Sequence, residues 1–188
     1  MLPSNHHSAR SISDEELALI LAAFRSGDRD AFRSLYDQFH SKIYRFCRRM
    51  TNDDALAKDA FQETFIRMYE HRRELRGDNV RSWLFSIARR TCLNLLRTRR
   101  ASHEPFDETF HAHPDVVDHD VILKERIEQA LTHLPIALRE ALVLREYEGH
   151  SYQEIADIVG IDLSLAKVRV YRARLMMRKL LAPVLNER

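Results

Sequence analysis

Apolar residues recur along this chain at steps of three and four, the spacing that gathers one face of an α-helix. Leu84, Ile87, Thr91 and Leu95 form one such stripe, Phe61, Phe65 and Met68 a second, and Ala166, Val170, Ala173 and Met177 a third. The pattern predicts helices over 15–26, 29–50, 56–76, 80–100, 136–148, 152–159 and 163–181. Gly27, Gly77, Gly149 and Gly160 each stand where a pattern stops, a place that favours a residue able to take positive φ. Helix starts are marked as well. Ser13-Asp14-Glu15-Glu16 and Ser151-Tyr152-Gln153-Glu154 read as capping boxes, Asp28 as the cap of the helix from Arg29, and Thr51 or Asn52 as the cap of the next.

The periodicity lapses over 101–117. The surrounding block 101–120 holds Pro105, Pro114, four histidines (103, 111, 113 and 119) and six acids without a Lys or Arg. This reads as a flexible acidic linker. The expected architecture is all-α, with two small helical domains: a disordered N-terminus at 1–12, a first domain at 13–100, the linker at 101–117 and a second domain at 118–182. Composition agrees, since four Gly and five Pro in 188 residues leave few tight turns for sandwiches, barrels or propellers. No window approaches the apolar length of a membrane span, and 1–10 lacks a signal-peptide core, so the expectation is no membrane insertion and a cytoplasmic location. Cys47 and Cys92 fall within helical spacing and read as small buried hydrophobes, with a redox pair as the other reading.

The formal net charge of +2 conceals strong segregation. Residues 81–100 carry six arginines (81, 89, 90, 97, 99 and 100) and no acid; 164–179 carry Lys167, Arg169, Arg172, Arg174, Arg178 and Lys179 and again no acid. A solvated helix normally pairs its charges at i,i+4, so an acid-free basic helix points to an anionic partner. In the second block the helices 152–159 and 163–181 are separated only by Gly160-Ile161-Asp162. Ala156, four residues before the glycine, gives room for a close crossing, and Ile155, Val159 and Ile161 supply the seam. That is helix-turn-helix grammar, whose second helix enters a DNA major groove. With Ala166, Val170, Ala173 and Met177 inward, Lys167, Arg169, Tyr171, Arg174 and Arg178 are left outside.

At this point the residues resemble a family. Leu134-Pro135, Arg139-Glu140-Ala141-Leu142-Val143-Leu144-Arg145, Ser151-Tyr152-Gln153-Glu154-Ile155-Ala156 and Lys167-Val168-Arg169-Val170-Tyr171-Arg172-Ala173-Arg174 resemble domain 4 of bacterial sigma factors, most closely the extracytoplasmic-function (ECF) group. Asp59-Ala60-Phe61-Gln62-Glu63-Thr64-Phe65-Ile66-Arg67-Met68-Tyr69 and Trp83-Leu84-Phe85-Ser86-Ile87-Ala88-Arg89-Arg90 resemble sigma domain 2. The resemblance covers most of 28–181 and implies a subunit that binds core RNA polymerase, through the clamp helices of its largest subunit and its flap region, and directs it to promoters. Asp59, Gln62 and Glu63 would then supply polar contacts to the clamp helices and Phe65 packing, although the spacing of Phe61, Phe65 and Met68 is more cheaply read as core, which leaves the docking to the polar residues. Arg76, Asn79, Arg81, Trp83, Arg89 and Arg90 would meet the minus-10 element, where the duplex opens and a flipped base is held; Trp83 also suits core. Ser164, Leu165, Lys167, Val168, Arg169, Tyr171, Arg172 and Arg174 would meet the minus-35 element. No cofactor is implied, because melting uses binding energy, and there is no Gly-rich phosphate loop. An anti-sigma protein is a further implied partner.

The chain departs from the family at Lys58, Arg90 and Asn94, and in the recognition helix Leu165 and Val168 stand where Thr and Ser are common. Apolar side chains there cannot donate to phosphate but can pack on a thymine methyl, or on an inhibitor. The linker has three readings: a solvated tether, a nucleic-acid mimic in the polymerase cleft, or a cover over the basic helices. Two other functional classes explain less. A DNA-binding regulator acting without polymerase leaves 59–69 and the helix 80–100 idle, and an enzyme finds no nucleophile elbow or His-Glu-x-x-His motif.

Overall fold

A computed structural model describes residues 14–101 and 119–186, and among these every regular element is helical. The α-helices are α1 (Asp14–Ser26), α2 (Arg29–Thr51), α3 (Asp54–Glu70), α4 (Val80–Ala101), α5 (His119–Thr132), α6 (Ile136–Leu142), α7 (Tyr152–Val159) and α8 (Leu163–Asn186). A 3-10 turn at Arg72–Glu74 follows α3, and a π-turn at Val143–Tyr147 prolongs α6. The expected N-terminal segment 1–12, the Ser13 cap and nearly all of the linker lie outside the described residues.

In the first half α2, α3 and α4 pack on one another, with α1 laid across α2. Leu35, Phe39, Ile43, Phe46 and Met50 recur on α2 at steps of four, four, three and four, and all are buried, as are Met68 on α3 and Leu84, Phe85 and Ala88 on α4. The aromatic spacing on α3 closes the bundle: Phe65 stands edge-on to Tyr36 at 4.7 Å between centroids, and Phe61 to Phe65 at 5.2 Å. Cys47 and Cys92 lie buried in the same core, where the hydrogen bond with Cys92 and burial push the Cys47 thiol far above its ordinary range. A thiol so held is inert, consistent with packing rather than redox work.

Two boundaries differ from the sequence expectation. The helix expected over 56–76 starts at Asp54, capped by Asp53, whose Oδ1 accepts the Leu56 N–H at 2.8 Å; Thr51 instead ends α2, and Asn52 takes the left-handed turn between them. The same helix stops at Glu70. The chain then bends through the 3-10 turn so that Leu75 re-enters the core, where Arg25 Nε fastens its carbonyl at 3.1 Å. Gly77 thus follows this bend rather than an α-helix. At the other end α8 runs through Pro183 to Asn186, past the expected limit at 182.

In the second half α8 is the hub, with α5, α6 and α7 around it. Ala166, Val170 and Ala173 are fully buried and Met177 partly, as the stripe predicts. The expected box at Ser151 is present: Ser151 Oγ accepts the Glu154 N–H at 3.1 Å and Glu154 Oε2 accepts the Ser151 N–H at 2.8 Å. At the helix-turn-helix corner Gly160 has φ 76°, and its N–H and that of Ile161 both bond the Ala156 carbonyl. The two halves also meet. Helix α7 packs on α4, and their buried residues form one continuous apolar cluster.

Candidate nucleic-acid interface

Helix α8 begins on a polar anchor that the sequence analysis did not single out. Asp162 accepts the Leu165 N–H at 2.8 Å and the Ser164 hydroxyl at 2.5 Å, and the latter bond, with the backbone one, holds its carboxyl below the usual range. The charge stands immediately before the first turn of α8, at the N-terminal end of the helix dipole, which favours it. From there Ser164, Leu165, Lys167, Val168, Tyr171 and Arg172 form an exposed outer face, Tyr171 with 62% of its surface free. The other two candidates on this helix are engaged within the protein. Arg174 grips Glu146 through Nε at 2.9 Å and Nη2 at 2.5 Å, and Arg169 reaches Glu140 at 3.2 Å.

The candidates around α4 divide in the same way. Arg76, Asn79 and Arg90 are exposed. Asn79 already has a structural task, since its Oδ1 accepts the Ser82 N–H at 3.0 Å and so caps α4. Trp83 is half-buried against the core. Arg81 donates to the Glu148 carbonyl, and Arg89 donates through Nε at 2.7 Å and Nη2 at 3.2 Å to Glu140. Glu140 is therefore shared by Arg89 of α4 and Arg169 of α8, at 2% exposure.

A third surface lies between α3 and α4. Asp59, Gln62, Glu63, Ile66, Thr91 and Asn94 line an open groove of about 290 Å³ there. Asp59 and Gln62 are exposed, and Glu63 pairs with Arg67 at 2.6 Å. Phe65 does not reach this surface, contrary to the expectation that it would pack against a partner; it is 5% exposed and belongs to the aromatic core, and the exposed apolar side chain at the groove is Ile66.

Two family models match the chain in order: Sigma-70 region 2 over residues 35–102 and Sigma-70, region 4 over 124–177. The RNA polymerase sigma-H factor of Pseudomonas aeruginosa is 34% identical over 191 residues, covering 94% of this chain and 99% of that protein. The ECF RNA polymerase sigma factor SigM of Bacillus subtilis is 31% identical, over 78% of this chain and 92% of that one. The chain is a sigma factor of the ECF group. Its fold matches the sigma factor RpoE of Bartonella quintana, solved in complex with the anti-sigma factor NepR, with a TM-score of 0.63, 26% identity, and coverage of 89% and 95% of the two chains. As a sigma factor the protein directs RNA polymerase to promoters. Region 2 thus contains α4 and the α3–α4 groove, and region 4 the helix-turn-helix of α7 and α8.

The residues sequence reasoning missed are those joining the two regions. Glu140, Glu148 and His150 are all buried polar residues, and His150 is fully so. Its ring meets Phe85 of α4 edge-on at 4.8 Å, neither ring nitrogen has a hydrogen-bond partner among the described residues, and Glu154 Oε1 lies 3.6 Å from Nδ1. Burial, with Arg81 and Lys42 nearby, lowers its pKa to about 4. The one available signal was Glu140, which with Arg139 interrupts an otherwise apolar run from Ile136 to Leu144, where an unpaired carboxylate would be costly.

Proposed function

We propose that this sigma factor engages core polymerase through the groove between α3 and α4 and reads two promoter elements with separate helices. The domain unit 13–100 carries the polymerase and minus-10 contacts, and the unit 118–182 the minus-35 contacts. Asp59, Gln62 and Glu63 offer polar groups to the clamp helices of the largest polymerase subunit, and the 118–182 unit meets the flap region. Ser164, Leu165, Lys167, Val168, Tyr171 and Arg172 enter the major groove at minus-35. Lys167 and Arg172 meet phosphate, while Leu165 and Val168 lie against base edges, where an apolar side chain favours a thymine methyl. Arg76, Asn79 and Arg90, joined by Arg81 and Arg89 once these are released, draw in the minus-10 strand, with Trp83 supporting the helix from the core side. Arginine attraction to the backbone and capture of unstacked bases drive opening by binding energy. The protein acts in the cytoplasm without a catalytic step of its own.

The observation that carries this reading is the acid-free outer face of α8, presented by the Gly160 corner and built on fully buried Ala166, Val170 and Ala173. An anti-sigma protein is the expected antagonist, and the exposed apolar residues Leu165, Val168 and Leu175 offer it a foothold on the same face. Reconstituted holoenzyme transcribing genomic DNA tests the proposal. Transcripts starting downstream of a shared pair of elements are expected, and failure of the purified protein to bind core polymerase would overturn it.

A further inference from the structure

Two of the minus-10 candidates, Arg76 and Asn79, stand on residues 75–79, which lie between the 3-10 turn and α4 and outside any regular element. This short turn is braced from α1. Leu21 and Phe24, both fully buried, seat α1 on the core and leave half-buried Arg25 facing the turn. Arg25 Nε donates to the Leu75 carbonyl at 3.1 Å and Nη2 to the Gly77 carbonyl, so one guanidinium spans the carbonyls on either side of Arg76. Leu75 is buried beneath, while Arg76, Asp78 and Asn79 stay exposed. The near end of the segment is tied to the same corner. Tyr69 Oη donates to the Gly27 carbonyl at 3.4 Å, Arg72 lies over the Tyr69 ring at 4.5 Å, and a Cβ on Gly27 would come within 3.2 Å of Arg72 Nη2.

Resting on the promoter-binding reading above, the geometry points to Arg25 as a positioning residue for minus-10 recognition. Helix α1 carries none of the DNA-binding candidates, yet through Arg25 it presets the turn from which Arg76 and Asn79 meet the opened strand. An unstacked base can rotate, so groups that are to tell one base from another must be fixed beforehand; a loose turn orders only on binding and accepts any base that packs. Gly77, in the left-handed region at φ 66°, is the freest point of the turn, and its carbonyl is one of the two that Arg25 holds. Both bonds are charge-assisted, which makes the brace firmer than a neutral donor would. With Nε and Nη2 engaged by carbonyls, Arg25 acts through the backbone and not on phosphate.

The test uses the full-length protein with Arg25→Ala and Arg25→Lys; the second keeps the charge without the planar fork that spans two carbonyls, and carries the comparison if loss of both bonds unfolds α1. Amide exchange over 72–80 is measured on the free protein. Base preference is measured with reconstituted holoenzyme on single-stranded oligonucleotides randomised over the minus-10 element. Expected for Arg25→Ala are exchange about tenfold faster over the turn and preference for the favoured base reduced about tenfold, with the salt dependence of binding unchanged. Arg25→Lys should fall between, and both variants should bind core polymerase as the wild type does. A lower melting temperature with base preference intact would overturn the inference, since it would leave Arg25 a brace for stability alone. So would equal exchange in wild type and variants. A loss of affinity equal for every base, with the salt slope reduced by about 0.7, would also overturn it by making Arg25 a phosphate contact. Wild-type holoenzyme without base preference on these strands would sink the proposed function and this inference with it; exchange distinguishes the two failures, because it reports the brace without DNA.

Discussion

Acidification should destabilise this protein before any of its ion pairs are lost, because of one histidine. His150 is fully buried, with Phe85 against its ring and Glu154, Arg81 and Lys42 as the charged groups that act on it. Burial first, then Arg81, lowers its pKa from 6.5 to about 4, so the native imidazole is neutral at neutral pH. In the unfolded chain it takes up a proton as pH falls through about 6.5, whereas the native form does so only near 4. The unfolded state therefore binds more protons across that window, and stability falls with falling pH, by about 3 kcal/mol in all. Glu148 opposes part of this: burial raises its pKa, so the native state gains its proton earlier than the unfolded chain as pH falls towards the ordinary carboxylate range. Glu154 adds to the loss only at lower pH, since Ser151 and His150 outweigh burial and hold its carboxyl low. Urea midpoints measured from neutral pH downwards should decline below about 6.5 in the wild type. His150→Phe puts a ring of similar shape beside Phe85 without unmet nitrogens and should flatten that decline while leaving neutral-pH stability equal or higher. Parallel pH profiles for wild type and variant would refute the reasoning.

Three further outcomes are expected. Leu165→Thr with Val168→Ser should move minus-35 preference by about 1 kcal/mol at the affected base pairs, read by selection from a promoter library; an unchanged preference would exclude these residues from base contact. Asp59→Ala with Gln62→Ala should weaken core polymerase binding about tenfold in a competition assay and leave the melting temperature alone, both side chains being exposed. Gly160→Ala should cost about 1 kcal/mol in thermal unfolding, from left-handed backbone alone, since an added Cβ meets nothing within 4 Å.

The helices and their inward faces were legible because periodicity and caps are local. The Ala166, Val170 and Ala173 stripe, the Ser151 box and the Gly160 corner each followed from residues within one or two turns. The Asp53 cap was misplaced by one or two positions, because three successive residues, Thr51, Asn52 and Asp53, are all good caps and only the left-handed Asn52 decides among them. The basic blocks pointed to DNA, yet charge counting assigns every arginine the same fate. Arg81, Arg89, Arg169 and Arg174 differ from Arg76, Arg90 and Arg172 through partners 28 to 67 positions away. No local pattern marks a contact at that separation, and only Glu140, set beside Arg139 in an otherwise apolar run, hinted that a positive charge had to come to it.

That carboxylate also answers an electrostatic difficulty. Two helices with six positive charges each and no acid repel one another, so close packing of region 2 on region 4 needs a counter-charge where solvent cannot screen it. Glu140, desolvated and bonded by two guanidinium groups, supplies it, and an apolar residue there would leave both arginines in solvent, ready for DNA. Closure and DNA binding should then respond differently to salt. Buried pairs are weakly screened, whereas binding to a nucleic acid releases counterions and weakens steeply as salt rises. For a single strand, each additional phosphate contact steepens the slope of log affinity against log salt by about 0.7, so freeing Arg89 by Glu140→Gln should steepen it by about that much. Slopes that coincide for wild type and variant, measured on the same single strand, would mean that Arg89 does not pass from Glu140 to DNA.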